Sequence, residues 1–134
     1  MPLITIDLLE GRSDDDLDAI AHSVHEAMVE TLDVPEHDRF QIITEHAPRT
    51  LRFDRDYLRG GRTDAFVLVR VTLAAGRTTE AKRAFYARLA DLLSHRVHLD
   101  TADLAVTLVE NAREDWSFGR GEVSYLDIPR EDWR

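Results

Sequence analysis

The chain of 134 residues contains no cysteine, and this absence removes several kinds of chemistry at once. Without a thiol there is no disulfide scaffold, no thiolate nucleophile and no cysteine-ligated zinc or iron–sulfur site. Basic residues are also few, since 17 Lys and Arg face 26 Asp and Glu and the net charge is −9 with histidine neutral. Because such a chain repels phosphate backbones and anionic lipids, the sequence disfavours nucleic acids and membrane surfaces as partners.

Long hydrophobic runs are absent as well. No apolar segment approaches the roughly 20 residues that span a bilayer, and the first residues alternate instead of forming a signal peptide. The length suits one domain built around a single core. We therefore expect a single cytoplasmic domain over residues 1–134.

Strand and helix patterns alternate along the first half of the chain. Residues 3–8 alternate and are rich in β-branched side chains, which predicts a strand. Ser13 is a good N-cap for a helix whose apolar positions recur at helical spacing until Pro35 ends it. Residues 39–45 predict a second strand.

The second half repeats this order. Residues 65–73 have the strongest strand pattern of the chain, and Thr78 or Thr79 can cap a second helix. Residues 104–109 predict a fourth strand. The order is therefore β-α-β followed by β-α-β.

Two further segments lack a clear helix or strand pattern. Residues 49–63 are charged and contain a Gly-Gly pair, which predicts a loop or a short hairpin. The tail, residues 114–134, combines aromatic residues with glycines and predicts a short final hairpin.

The two halves can be superposed by number. A shift of 65 residues places Gly-Arg-Ser at 11–13 on Gly-Arg-Thr at 76–78, and it places Asp38 on Asp103. This agreement predicts an internal duplication.

The duplicated units cover about residues 2–48 and 67–113. In a β-α-β unit the two strands are parallel and joined by a right-handed crossover. Two such units predict an α+β fold, in which a four-stranded mixed sheet carries both helices on one face.

Pro2 stands at a position with unusual chemistry. Methionine before a small residue is normally removed after synthesis, which would make Pro2 the amino terminus. A terminal proline is a secondary amine, and a model α-amino group titrates near ~7.7–8.0, so it could serve as a general acid or base. The alternative is structural, because proline also tolerates the first position of a strand.

Arg77 and Asp38 are the candidate polar residues of a site. Arg77 lies between the strongest strand and the second helix, where the carboxyl ends of parallel strands gather ligands, and its guanidinium could hold a carboxylate. Asp38 precedes the second strand and could orient a water or polarise a carbonyl. Alternatively, Arg77 is a solvated loop residue, and Asp38 caps a turn and pairs with Arg39.

The remaining candidates are aromatic residues and histidines. Trp116, Phe118 and Tyr125 could form the wall of an apolar site, or they could pack over a sheet edge or at a subunit contact. Four of the six histidines form two i, i+3 pairs, at 22 and 25 and at 95 and 98, without an obvious carboxylate or third histidine as partner. We expect no metal site.

These features together resemble the tautomerase superfamily, and within it malonate semialdehyde decarboxylase and its homologues most of all. The likeness covers nearly the whole chain. The matching segments are Met1-Pro2-Leu3-Ile4, Val34 to Ile42, Arg62-Thr63-Asp64, Gly76-Arg77-Thr78, and Glu110-Asn111 followed by Asp115-Trp116-Ser117-Phe118-Gly119-Arg120-Gly121.

The resemblance implies a homotrimer that acts on a small carboxylate without any cofactor. It implies that Pro2 is catalytic and, in a decarboxylase, cationic. Residues matching Asp38 and Arg77 assist the proline, and aromatic residues line the site at the positions of Trp116, Phe118 and Tyr125. The cation would act as an electron sink while CO2 leaves, or it would activate an unsaturated acid for hydration.

One departure from the family pattern affects carboxylate binding. The decarboxylase carries a second arginine shortly before the position of Arg77, whereas this chain has Leu73-Ala74-Ala75-Gly76 there. Arg70 could replace the missing cation as a substrate contact if its strand face points into the site.

Two other functions stay open at this point. A keto–enol tautomerase acting on a 2-oxo acid such as phenylpyruvate would use neutral Pro2. A non-catalytic trimeric binding protein of the same fold would retain Met1, because the amide nitrogen of an internal proline cannot transfer a proton.

Overall fold

The computed structural model describes residues 2–133. The sheet has the order β2-β1-β3-β4, in which β1 pairs parallel with β2, β3 pairs parallel with β4, and the central pair is antiparallel. This mixed sheet confirms the predicted α+β fold. The main elements are β1 (Pro2–Leu9), α1 (Asp14–Leu32), β2 (Gln41–His46), β3 (Val67–Ala74), α2 (Thr79–Val97) and β4 (Leu104–Asn111).

Both long helices begin at a side-chain cap. Ser13 Oγ accepts a hydrogen bond from the backbone N–H of Asp16 at 3.1 Å at the start of α1. Thr78, not Thr79, does the same for α2, where its Oγ accepts from the backbone N–H of Ala81 at 3.1 Å. Each cap satisfies a helix N–H that has no partner within the helix.

The local structure repeats with the 65-residue offset of the sequence. Strands β1 and β3 have 8 residues each, and helices α1 and α2 have 19 residues each, with every bound displaced by that offset. Gly11 and Gly76 occupy the two strand-to-helix turns with φ of 120° and 129°. The same local interactions therefore build both halves.

The hydrophobic core lies between one face of the sheet and the two helices. Alternate side chains of β1 and β3 point into it, as strand geometry requires. They pack with apolar residues of α1 and α2, which contact each other. The largest fully buried members are Ile4, Ile6, Leu8, Ile20, Val24, Met28, Leu32, Val67, Leu73, Phe85, Leu89 and Leu93.

The chain after β4 does not form the predicted hairpin. Within residues 112–133 there is no strand; short 3₁₀ turns stand at Arg113–Asp115 and Arg130–Asp132, and a one-turn helix, α3, spans Ser124–Asp127. The hydroxyl of Ser124 accepts the backbone N–H of Phe118 at 2.9 Å, a group that a hairpin would direct to a backbone carbonyl. This side-chain bond and one backbone bond, from the N–H of Ser124 to the carbonyl of Trp116 at 3.2 Å, hold the turn without a strand pair.

The segment between β2 and β3 is a loop, one of the two forms that the sequence allowed. Its turns are held by side chains: Asp54 Oδ1 accepts the backbone N–H groups of Asp56 and Tyr57, and Arg55 pairs with Asp64 at 2.6 Å. No helix within residues 2–133 has the length and hydropathy needed to cross a membrane.

Candidate active site

A cavity of about 880 Å³ opens beside the carboxyl end of β3. Its walls come from three parts of the chain: residues 31–40 after and at the end of α1, residues 74–81 around the turn into α2, and the tail from Arg113 to Trp133. The carboxyl ends of parallel strands are common ligand sites in α/β sheets. This cavity is therefore the candidate active site.

Arg77 lies in the cavity wall and is anchored to two backbone carbonyls. Its Nε donates to the carbonyl oxygen of Leu32 at 3.0 Å, and its Nη1 donates to that of Ala74 at 2.9 Å. A cation beside the last carbonyls of α1 is favourable because those groups carry the negative end of the helix dipole. A guanidinium has five N–H donors, so donors remain for a carboxylate ligand.

Asp38 lies in the same wall and is half-buried. Burial raises the pKa of its carboxyl group, while the nearby Arg77 and His25 act in the opposite direction. Arg39, the ion-pair partner that the sequence suggested, donates its Nε to Gln41 Oε1 instead. The carboxyl group is thus held near the guanidinium of Arg77, in surroundings that disfavour its charged form.

Pro2 is the first residue of β1, at the end of the sheet next to the cavity. It is buried and pairs across the sheet with Leu73. On the other side of β1, the backbone N–H of Ile4 donates to the carbonyl of Phe40 at 3.0 Å. The start of β1 therefore lies between two segments that line the cavity, those of Phe40 and Ala74, although Pro2 itself is not among the lining residues. Met1, whose removal the catalytic role needs, lies outside the described residues.

One side of the cavity is aromatic. Phe118 and Tyr125 line it, and their rings meet edge to face at 5.6 Å. Phe40 approaches Phe118 at 5.6 Å, and Trp133 meets Tyr125 edge to face at 4.7 Å. Sequence reasoning missed Phe40 and Trp133, since neither lies in the tail motif that drew attention to the other rings.

Trp116 supports this aromatic side without forming part of the wall. Its ring stacks on Phe118 at 5.5 Å, and its Nε1 donates to Asn111 Oδ1 at 2.8 Å. Of the three aromatic residues named from the sequence, two therefore face the cavity and the third positions one of them.

Arg70 does not reach the cavity, and its prediction as a substrate contact is wrong for this site. Val69 and Val71 are fully buried in the core, so strand alternation turns Arg70 to the opposite face of the sheet. There its Nη2 lies 3.3 Å from Asp7 Oδ2, and Asp7 Oδ1 lies 2.7 Å from His46 Nε2.

Asp103 and Arg12, which the 65-residue shift places on Asp38 and Arg77, have different partners. Asp103 is 1% exposed and accepts the backbone N–H and the hydroxyl of Thr63, both at 2.6 Å. Arg12 donates to the carbonyl of Ala65 at 2.6 Å. The loop before β3 thus bonds to both Asp103 and Arg12, whereas Asp38 and Arg77 line a cavity.

Three of the four histidines named from the sequence contact a carboxylate or a backbone carbonyl. His22 Nε2 is 3.6 Å from Glu26, and His95 Nδ1 is 3.3 Å from Asp91 Oδ1, both at i, i+4 spacing. His25 is buried, and its Nε2 lies 2.7 Å from the carbonyl oxygen of Glu36. Within residues 2–133 no group of three or more His, Asp or Glu residues is arranged to hold a metal ion.

Comparisons with known proteins agree with this architecture. Two family models, both described as tautomerase enzymes, match residues 38–119 and residues 2–59. Among curated proteins, the probable tautomerase YusQ of Bacillus subtilis (strain 168) is 35% identical over 95% of this chain and 100% of its own length. The probable tautomerase YrdN of the same organism is 39% identical over 94% of this chain and 97% of its own.

Solved structures give the same result at the level of the fold. A malonate semialdehyde decarboxylase is 36% identical, with a TM-score of 0.87 over 92% of this chain and 95% of its own. The FG41 malonate semialdehyde decarboxylase is 38% identical, with a TM-score of 0.86 over 95% of this chain and 99% of its own. These matches confirm the likeness expected from the sequence motifs, and the chain belongs to the tautomerase superfamily of enzymes.

Proposed function

We propose that this protein is a cofactor-independent enzyme that decarboxylates or hydrates a small 3-oxo or unsaturated carboxylic acid. The reacting group is the secondary amine of Pro2, freed by removal of Met1. The observation that carries the proposal is the meeting of Asp38, Arg77 and an aromatic wall in one cavity beside the strand that Pro2 begins.

Arg77 binds the substrate carboxylate. Its two bonds to backbone carbonyls hold the guanidinium in place before the ligand arrives, so little conformational freedom is lost on binding. The aromatic wall of Phe118 and Tyr125 excludes water from the neighbouring carbons. A weakly solvated carboxylate loses CO2 more easily than one in bulk water.

Cationic Pro2 acts as the proton donor in the decarboxylation. As the bond between the carboxylate carbon and the α-carbon breaks, its electron pair forms the enol double bond and the carbonyl oxygen takes the proton of Pro2. CO2 leaves, and the resulting enol becomes the aldehyde or ketone by proton transfer to carbon. Neutral Pro2 regains a proton from solvent, so the cycle needs no cofactor.

Asp38 serves the hydration reaction. Its carboxylate accepts a hydrogen bond from a water molecule and directs it to the β-carbon of an unsaturated acid. Burial raises the pKa of this carboxyl group, which brings its basicity closer to neutral pH. The related malonate semialdehyde decarboxylase, which has been described with both decarboxylase and hydratase activities, supports one site for both reactions.

A homotrimer is part of the proposal. The resemblance implies it, and the wild-type Q0 fused 4-OT, a symmetric trimer that is 26% identical over 90% of this chain with a TM-score of 0.71, supports it. Sedimentation equilibrium of the purified protein at several concentrations tests the assembly. A mass that stays at that of one 15.4 kDa chain would contradict this part of the proposal.

The reaction of Pro2 is tested by covalent labelling. FG41 malonate semialdehyde decarboxylase is inhibited by 3-bromopropiolate, so this compound is a suitable reagent. Intact-mass analysis is expected to show a chain that begins at Pro2 and carries one adduct, which peptide mapping places on Pro2.

Two variants complete the labelling experiment. Pro2→Ala is expected to abolish the adduct, and Pro48→Ala, a change at an exposed proline outside the cavity, is expected to leave labelling unchanged. An unlabelled chain that lacks Met1 would contradict the proposal. A chain that retains Met1 would favour a binding protein of the same fold.

The size and the rings of the cavity favour a second candidate, a keto–enol tautomerase acting on an aryl 2-oxo acid such as phenylpyruvate. A cavity of about 880 Å³ with aromatic walls accommodates more than a three-carbon acid. The two reactions need opposite forms of Pro2. Decarboxylation falls as pH rises through the pKa of the Pro2 amine, whereas tautomerisation by the neutral amine rises, so a pH–rate profile with each substrate separates them.

A further inference from the structure

The cavity has more positive charge than Arg77 alone provides. Among its lining residues the structure places three arginines, two of which belong to the tail after β4. They face three aspartates in the same walls. With Arg77 as the single cation, an anionic substrate would meet a net negative cavity in a chain that is already acidic, and binding would be unfavourable. The arginines are Arg77, Arg113 and Arg130, and the aspartates are Asp33, Asp38 and Asp132.

Arg113 reaches the cavity from the same end of the sheet as Arg77, where β3 and β4 finish. Strands β3 and β4 are parallel neighbours, with Ala74 opposite Asn111. The backbone N–H of Ala75 extends this pairing by donating to the carbonyl of Asn111 at 2.8 Å. Arg77 follows β3 by three residues and Arg113 follows β4 by two, so both side chains start from adjacent strand ends.

A fixed aromatic ring holds the guanidinium of Arg113. Its central carbon lies 5.7 Å from the centre of the Trp133 ring, within the range of a cation–π contact. The Trp133 ring is itself held by Tyr125, edge to face at 4.7 Å, and by its Nε1, which donates to the carbonyl of Ile128 at 3.0 Å. Arg130 has no comparable contact with a ring of the described residues.

The carboxylate of Asp115, two residues after Arg113, is engaged elsewhere. Asp115 Oδ2 accepts the backbone N–H of Ala112 at 2.8 Å and thereby closes its own turn. Within residues 2–133 the structure shows no ion pair for Arg113. Its N–H groups are therefore available to a ligand in the cavity.

We propose that Arg113, presented by Trp133, is the second carboxylate-binding cation of this site and fills the role of the arginine that the chain lacks before Gly76. This inference rests on the proposed function and adds a specificity-determining residue to it. Arg77 and Arg113 together select substrates with a free carboxylate over neutral analogues. Loss of one charge-assisted hydrogen bond corresponds to a loss of about tenfold to a hundredfold in affinity.

The test compares labelling by 3-bromopropiolate with labelling by its uncharged methyl ester. For each variant, the rate of adduct formation against reagent concentration gives a half-saturating concentration and a maximal rate. Arg113→Gln is expected to raise the half-saturating concentration of the acid at least tenfold and to change the maximal rate less than about twofold. Its reaction with the ester is expected to match that of the wild type, a pattern that a merely misfolded site would not produce.

Three further variants separate charge, position and general tail effects. Arg113→Lys keeps the charge without the planar fork and is expected to recover part of the affinity for the acid. Trp133→Leu removes the ring that positions Arg113. It is expected to lower the affinity for the acid and to leave the reaction with the ester unchanged. Arg120→Gln is the matched control, an exposed arginine of the same tail that does not line the cavity, and is expected to behave like the wild type.

The outcomes of this experiment distinguish the two proposals. If Arg113→Gln and Arg113→Lys label like the wild type while Arg77→Gln does not, the role of Arg113 is overturned and the proposed function stands. If the wild type reacts with neither reagent, the proposed function fails. Calorimetric titration with 3-hydroxypropanoate then decides the carboxylate site: weaker binding by Arg113→Gln supports it, and equal binding overturns it.

Discussion

Asp103 accepts hydrogen bonds from both the backbone N–H and the hydroxyl of Thr63, each at 2.6 Å. The equivalent residue of the first half, Asp38, lies in a cavity wall near Arg77. The two carboxylates occupy the same position of the repeated pattern, before β4 and before β2. One of them holds a loop in place, and the other lines a cavity.

Asp103→Ala is therefore expected to reduce stability without changing the chemistry. Removal of this buried carboxylate breaks two charge-assisted hydrogen bonds to Thr63, one of them to a backbone N–H. The expected loss in the free energy of unfolding is about 3 kcal/mol, measured by urea denaturation. Activity per folded molecule should be unchanged.

Asp38→Ala is the matched comparison, because it removes the equivalent carboxylate from the cavity. We expect a small change in stability and a loss of hydratase activity of about a hundredfold or more. Equal effects of the two substitutions on stability and activity would contradict the division of roles.

Stability is expected to depend on pH through Asp38. Burial raises the pKa of this carboxyl group in the folded protein, so the folded state keeps its proton to a higher pH than the unfolded state does. The free energy of unfolding therefore decreases as pH rises from the ordinary aspartate pKa through the raised value, and this decrease persists at neutral pH. Asp38→Asn removes the titrating carboxyl group, so the variant is expected to lack this decrease.

The measurement is the difference in the free energy of unfolding between Asp38→Asn and the wild type at pH 3 and at pH 7. Relative to the wild type, the free energy of unfolding of Asp38→Asn should be higher at pH 7 than at pH 3. If the free energy of unfolding of the wild type instead rises relative to that of Asp38→Asn between pH 3 and pH 7, then ion pairing, and not burial, dominates the environment of this carboxyl group.

Gly76 should be needed for the placement of Arg77. Its φ of 129° is strained for any residue with a Cβ, although a Cβ there would meet no atom within 4 Å. Gly76→Ala is expected to cost about 1–3 kcal/mol through the backbone alone and to lower carboxylate affinity, because relief of the strain moves Arg77. Denaturation and substrate titration measure the two effects.

Gly11→Ala provides the control, since Gly11 has a φ of 120° in the equivalent turn and also meets no atom within 4 Å. Its stability loss should be similar, and substrate affinity should stay at the wild-type level. A loss of affinity in both variants would show that the effect arises from general destabilisation.

Phe118→Ala is expected to impair the reaction more than the fold. The ring is 39% exposed, so little core packing is lost, yet it contacts Phe40, Trp116 and Tyr125. Loss of these contacts should cost about 1–2 kcal/mol of stability. Entry of water should lower decarboxylation at saturating substrate about tenfold or more.

Tyr57→Ala is the control for an exposed aromatic residue, because Tyr57 is 68% exposed and lies outside the cavity. Single-turnover kinetics of both variants isolate the chemical step from product release. An unchanged rate of the chemical step in Phe118→Ala would mean that the aromatic wall does not control the access of water to the substrate.

Local interactions made much of the fold predictable. Helix caps such as Ser13 and Thr78, and the alternation of β1 and β3, act over a few residues, so the sequence shows them directly. The final hairpin failed as a prediction because the hydroxyl of Ser124, six residues from Phe118, competes for a backbone N–H. Glycine and aromatic content does not reveal such a competition.

By itself, the sequence determined the order of the elements, the 65-residue repeat and the identities of Pro2, Asp38 and Arg77 as candidates. Tertiary structure decided which of the repeated residues face a cavity, that Arg70 points away, and that Arg113 and Trp133 meet in the wall of the cavity that Arg77 also lines. The physical reason is the distance along the chain over which the interactions act. Periodicity and capping depend on neighbours within a few residues, whereas the cavity joins the end of α1, the turn after β3 and the tail, whose proximity arises only when the sheet aligns β3 with β4 and buries the core.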